Sequence, residues 1–305
     1  MRNILSLLDL GREGLEQVIA ESAAMKARLK SGIHDPLYRG KTLGMYFEKP
    51  SLRTRVSLET AMNSLGGGAV CLEADAPNQF WSRESVKDQA RVMSRFVSLV
   101  AMRTFSQAVI EEFARESSVP IINVLSDYAH PTQVIADFLT FGERCGPLGG
   151  KRLVYFGDGN NVARSLLSAC ALTGVRFVWS GPASHRLEPD FVRMAAERTG
   201  GNLSFIEEAD PIKAVAGADA VYTDVWASMG QESEAAEREK LFLPYQVNER
   251  LMAAAPPGAI VLHCLPAHRG LEITDGVMDG EQSAVYDQAE NRMHVYRGIF
   301  SLLAK

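Results

Sequence analysis

Arg152-Leu153-Val154-Tyr155-Phe156-Gly157-Asp158-Gly159-Asn160-Asn161-Val162 is the stretch that decides the fold. An apolar run of strand length meets a glycine turn, and helical spacing takes over across 162–173. The same alternation extends in both directions. Runs at 42–47, 97–103, 121–124, 176–180, 220–225 and 259–262 read as strands, and helical spacing occupies 14–30, 52–65, 87–96 and 132–145. Strands alternating with helices imply parallel sheets and an α/β fold. Gly146-Pro147-Leu148-Gly149-Gly150 breaks the alternation just before a fresh strand, which predicts two α/β halves of similar size with a boundary at 145/146.

The 305 residues are 46% hydrophobic with a net charge of -5, so the chain can build a large core and carries no basic block for nucleic acid or anionic lipid. Any anion it binds must be small and held locally. No stretch has the length and apolarity of a membrane helix, and the N-terminal apolar run is too short for a secretory signal. The four cysteines form no CxxC pair, which argues against a zinc site or a disulfide framework and for reduced thiols in a cytoplasm.

In open α/β sheets ligands sit outside the carboxyl ends of strands, so the residues after each run carry the chemistry. After 42–47 comes Glu48-Lys49-Pro50-Ser51-Leu52-Arg53-Thr54-Arg55, with hydroxyls and guanidiniums packed into the first turn of a helix. Ser51 alone reads as an N-cap. Two arginines at the positive end of a helix oppose its dipole unless an anion is present, and Ser51, Arg53, Thr54 and Arg55 offer that anion donors. Arg103 closes the next run, where a buried guanidinium needs an acidic partner or a ligand. His130-Pro131-Thr132-Gln133 brings an imidazole and an amide to another helix start.

The Gly157-x-Gly159 turn lacks the third glycine of a dinucleotide fingerprint, since Val162 stands there, and no ribose-binding acid follows Ser180-Gly181. NAD is disfavoured. Asn160 and Asn161 suit either a turn or an amino-acid carboxylate or amine. Asp224 and His263-Cys264-Leu265-Pro266 follow two later runs. Cys264 is open to three uses, as a nucleophile, a metal ligand or a buried small residue, although the six histidines show no zinc-type spacing. The charge run at 232–240 reads as a solvated helix.

In this order the segments resemble the aspartate/ornithine transcarbamoylase family, from about Gly44 to Glu290-Asn291-Arg292. Residues 47–55 resemble its Ser-Thr-Arg-Thr-Arg phosphate loop, and His130-Pro131-Thr132-Gln133 its carbamoyl motif. Asp224 with Ser228-Met229-Gly230, and His263-Cys264-Leu265-Pro266, resemble the ornithine-type branch. The resemblance implies two doubly wound parallel-sheet domains facing across a cleft: a carbamoyl phosphate domain (1–145, with 289–305 packing back on it as a C-terminal helix) and an ornithine domain (146–288). It implies a homotrimer or a multiple of trimers, with active sites between subunits, and no cofactor or metal.

By the same resemblance, carbamoyl phosphate would be held by Ser51, the backbone of Leu52, Arg53, Thr54, Gln79, Arg103, His130, Gln133 and Arg292. Ornithine would be held by Asn161, Asp224, Ser228 and Met229, with Cys264 and Leu265 where the two substrates meet. Arg53, Arg103, His130, Asp224 and Cys264 would carry the chemistry of carbamoyl transfer, in arginine biosynthesis or its catabolic reverse. Leu52 replaces the usual threonine of the phosphate loop. Asn78-Gln79-Phe80-Trp81-Ser82-Arg83-Glu84 replaces the ornithine-type Gln-Leu-Gly-Arg-Gly-Glu, a loop that in the family reaches a neighbouring subunit's phosphate site. That change leaves room for another amine acceptor, putrescine or N-acylornithine, or for a catalytically silent binding subunit. The intact Ser228-Met229-Gly230 favours free ornithine.

Overall fold

The computed structural model describes residues 2–74, 79–227 and 232–304. They form two compact units, one up to Ala136 with the stretch from Glu290 onward, the other Asp137–Ala289. The first unit contains α1 (Leu7–Lys30), β1 (Thr42–Phe47), α2 (Leu52–Ser64), β2 (Gly68–Glu73), α3 (Gln79–Arg83), α4 (Val86–Phe96), β3 (Leu99–Arg103), α5 (Gln107–Glu116) and β4 (Ile121–Leu125). The chain leaves it within α6 (Pro131–Cys145). The second unit contains β5 (Arg152–Phe156), α7 (Asn161–Thr173), β6 (Arg176–Ser180), α8 (Pro189–Arg198), β7 (Phe205–Glu207), α9 (Pro211–Val215), β8 (Ala220–Thr223), α10 (Ala235–Phe242), α11 (Glu249–Ala254), β9 (Ile260–His263) and α12 (Asp275–Met278). α13 (Val285–Leu303) carries the chain back to the first unit.

Both sheets are parallel throughout, in the orders β2-β1-β3-β4 and β7-β6-β5-β8-β9. The two parallel-sheet α/β domains expected from the alternation are present. Central strands have both faces covered by helices, so they appear in the sequence as unbroken apolar runs; every residue of β3, β8 and β9 is buried. β2 and β7 were not apparent in the sequence. Both are edge strands without a buried residue, and β7 is only three residues long.

The division by compactness falls inside α6, ahead of the glycine-rich stretch expected to mark it, and again inside α13. A helix can serve two cores in turn, so the chain changes unit without a loop. α13 is drawn close to α1 at Gly298, where a Cβ would lie 2.3 Å from Ser22 Oγ. Tyr38 meets the Phe300 ring at a tilt and donates its hydroxyl to the Phe300 carbonyl at 2.9 Å. These contacts fix the register of α13 in the first unit and with it the place of Arg292.

Each sheet has one point where successive connections leave in opposite directions, between β1 and β3 in the first and between β5 and β8 in the second. Crevices for ligands open at the carboxyl ends of such strands. The candidate residues lie there.

Candidate active site

In the first unit, Ser51 follows β1 and caps α2, its Oγ accepting the Thr54 N–H at 3.3 Å and donating to Thr54 Oγ1 at 2.9 Å. Arg292, brought in on α13, donates to the same Thr54 Oγ1 at 2.5 Å. Arg103, at the end of β3, is tied by Nε to the Lys49 carbonyl at 3.2 Å. His130 and Gln133 are buried at the start of α6. Burial, reinforced by Arg292 and Arg103, holds the His130 imidazole well below the usual histidine range, so it is neutral at pH 7.

Arg292 is 4% exposed, yet among the described residues no carboxylate pairs with it and its Nε–H has no acceptor. A buried guanidinium without an acid is expensive unless a ligand anion supplies the charge. Arg53 is half-buried in the first turn of α2. Leu52 is 75% exposed, so only its backbone serves the turn. Arg55, grouped with the anion donors on sequence grounds, turns outward to Glu59 at 3.0 Å and Glu73 at 2.6 Å; those acids, rather than a ligand, offset its charge at the helix start. Gln79 is exposed at the start of α3.

In the second unit, Asn160 caps α7: its Oδ1 accepts the N–H groups of Val162 and Ala163, each at 3.0 Å. Its Nδ2 donates to Asp224 Oδ2 at 3.0 Å. The other Asp224 oxygen accepts the Val225 N–H at 2.8 Å and the Cys264 thiol at 2.9 Å. Asp224 is thus oriented on both sides by groups from three loops. Asn161 is the first helical residue and half-buried beside that cap. Ser228 and Met229 lie outside the described residues.

His263 accepts the Leu265 N–H on Nδ1 at 2.8 Å, so the ring proton is on Nε2, which faces Glu272 Oε1 at 3.1 Å. This bond holds the turn in which Leu265 takes φ +60°, a conformation rarely adopted by a side-chain-bearing residue and found mostly at functional turns. Ligand atoms of Asp224, His263 and Cys264 lie within 4.8 Å of one another. Both His263 nitrogens are already engaged, however, so the set does not fit a metal. The 232–240 run is not merely a solvated helix. Arg238 is buried, donating to Asp158 and, at 2.5 Å, to the Trp226 carbonyl.

Residues 2–143 match the sequence model of the aspartate/ornithine carbamoyltransferase carbamoyl-P binding domain, and 149–303 that of the Asp/Orn binding domain. The chain belongs to the aspartate/ornithine carbamoyltransferase family. It is 49% identical over 305 residues to an ornithine carbamoyltransferase of Symbiobacterium thermophilum, covering 99% of this chain and 97% of that one. An anabolic ornithine carbamoyltransferase of Pyrococcus furiosus is 44% identical over 305 residues, covering 99% and 96%. The solved ornithine carbamoyltransferase structure from Pyrococcus furiosus superposes with a TM-score of 0.94 at 44% identity, again covering 99% and 96%.

As a member of this carbamoyltransferase family, the chain gathers Ser51, Thr54, Arg103, His130 and Arg292 in one unit, and Asp224 and Cys264 in the other. Asn160 was missed as the residue that orients Asp224. Its position before the helix announced a cap, but nothing local announced a partner 64 positions away.

Proposed function

We propose that this chain transfers the carbamoyl group of carbamoyl phosphate to the side-chain amine of L-ornithine, giving L-citrulline and phosphate, in the direction of arginine biosynthesis. The observation that carries the donor assignment is Arg292, buried with no acid paired to it among the described residues, beside Thr54, Arg103 and neutral His130. The anabolic relative supports the biosynthetic direction. The chain acts in the cytoplasm as a homotrimer. Its free cysteines and the lack, among the described residues, of a helix able to cross a membrane support the first. Support for the second is the exposed apolar Leu52, Val56 and Val70 on α2 and β2, which suit contact with another copy.

Carbamoyl phosphate is a dianion with a planar carbonyl. Arg53, Arg103, Arg292 and the N–H groups of the α2 start neutralise its phosphate, as Ser51 and Thr54 hydroxyls fix its oxygens. His130 donates its one ring N–H to the carbonyl oxygen, where charge develops in the tetrahedral species, and Gln133 orients the carbamoyl amide. The neutral imidazole suits this task, because it donates without surrendering a proton. Ornithine's α-carboxylate takes Asn161, and its ammonium groups take Asp224 and the 228–229 segment.

The attacking amine has an ordinary pKa of ~10.4, so it gives one proton to bulk water before attack. Asp224 and Cys264 hold the neutral amine toward the carbonyl carbon. A C–N bond forms, the C–O bond to phosphate breaks, and the departing phosphate carries off the second amine proton. Cys264 orients and makes no covalent intermediate. Citrulline formation from carbamoyl phosphate with ornithine, putrescine and N-acetylornithine in parallel tests the assignment. Ornithine should be strongly preferred. Putrescine turning over equally well would remove the task given to Asn161, and no product from any amine would remove the reaction.

A further inference from the structure

Glu48 has no part in the scheme above, yet it is 5% exposed and, among the described residues, pairs with no Lys, Arg or His. Its Oε1 accepts the Trp81 indole N–H at 2.8 Å and its Oε2 the Phe105 backbone N–H at 3.0 Å. A buried carboxylate just ahead of an anion-binding turn weakens that turn electrostatically. What it contributes instead is geometry. Glu48 and Lys49 lead out of β1, and Arg103 to Phe105 lead out of β3, the two strands flanking the switch point. They are stitched in both directions: Glu48 N–H to the Arg103 carbonyl at 2.8 Å, Arg103 Nε to the Lys49 carbonyl at 3.2 Å, and Phe105 N–H to the Glu48 carboxylate.

The Trp81 arm comes from α3, the helix formed where the chain departs from the Gln-Leu-Gly-Arg-Gly-Glu pattern that the family resemblance implies. Its ring stacks on buried Tyr46, with centroids 5.7 Å apart and planes at 26°, and meets Phe80 and buried Phe113 edge-on at 5.7 and 6.4 Å. Gln89 holds the Phe80 carbonyl. α3 therefore packs on the core of its own unit through half-buried Phe80 and Trp81, and one indole N–H links it to the anion turn.

We propose that Glu48 is a positioning residue that sets Arg103 and the Ser51 turn for the donor anion, and that Trp81 makes α3 part of that device. The proposal rests on the reading of this cluster as the carbamoyl phosphate site. With both donors in place the carboxylate cannot rotate. Without the indole N–H, Oε1 is buried and unsatisfied, and the carboxylate turns to compete with the ligand for Arg103.

The test uses the full chain with Glu48→Gln and Trp81→Phe, singly and together. Each single variant raises the KM for carbamoyl phosphate roughly tenfold, leaves the KM for ornithine within about twofold, and the double variant is no worse than the more affected single one. Inorganic phosphate changes the tryptophan emission of the parent, and that change is absent in Trp81→Phe. A carboxylate acting only through its charge predicts the opposite sign, with Glu48→Gln binding carbamoyl phosphate more tightly. That result overturns the proposal, as does a Trp81→Phe protein with unchanged KM and emission response. If Glu48→Gln melts early without ligand, Trp81→Phe, which keeps the ring packing, decides alone. A parent that transfers while the variants match it overturns only the positioning role; a parent that binds neither phosphate nor carbamoyl phosphate overturns both readings.

Discussion

Replacing Arg292 by methionine should separate ligand binding from folding in an unusual direction. The substitution removes one hydrogen bond to Thr54 Oγ1, worth ~1 kcal/mol. It also removes a buried charge with no acidic partner among the described residues, and exchanging buried charges for apolar groups is typically neutral or stabilising by ~1–4 kcal/mol. The ligand-free protein should therefore melt at the parent temperature or above it. With the anion bound the sign reverses, because a buried charge that loses its partner costs about 3–5 kcal/mol, or on the order of 10²-fold or more in affinity. In the parent, phosphate at 100 times its Kd adds ~2.7 kcal/mol, a rise of roughly 4 °C for a chain of this size. In Arg292→Met that rise should vanish. Thermal denaturation with and without inorganic phosphate, beside the KM for carbamoyl phosphate, measures both effects. A variant that loses about 3 kcal/mol without ligand, or one that keeps the phosphate-dependent rise, refutes the reasoning.

Burial keeps the folded His130 pKa below its ordinary value of about 6.5, so the unfolded chain takes up that proton first; the urea midpoint should fall as pH drops below about 6.5, and His130→Asn should flatten the fall. An equal slope in both proteins would show that His130 is not held neutral. Asn160→Asp keeps the helix cap but sets a second carboxylate against Asp224, so the melting temperature should fall and the KM for ornithine should rise by about tenfold, whereas Asn160→Ser, which also caps, should cost less on both counts; steady-state rates alongside melting curves check the pair. Asp224→Asn should lower kcat by ~10²–10³ with little change in the KM for carbamoyl phosphate, and Cys264→Ser should keep measurable citrulline formation. A carbamoylated Cys264 trapped in mass spectra would contradict the orienting role.

The α/β class was legible because parallel central strands are buried on both faces and leave continuous apolar runs such as 152–156. The place of the candidate site was legible because Ser51, Arg103, His130, Asp224 and Cys264 follow those strands and stand next to recognisable elements. Edge strands β2 and β7 left no such trace. α1 begins earlier than its helical spacing suggested because Gly11, at φ +70°, breaks its first turns from the rest.

Local order along the chain set which residues could bind, since helix starts, strand ends and turn glycines are short-range properties. Tertiary packing alone chose among them. It sent Arg55 outward to Glu59 and Glu73, left Arg292 inside with no acid paired to it among the described residues, aimed Asn160 at Asp224, and drew Trp81 onto Glu48. These outcomes depend on charges and donors far apart in the chain whose separation in space is fixed only when the two sheets have folded.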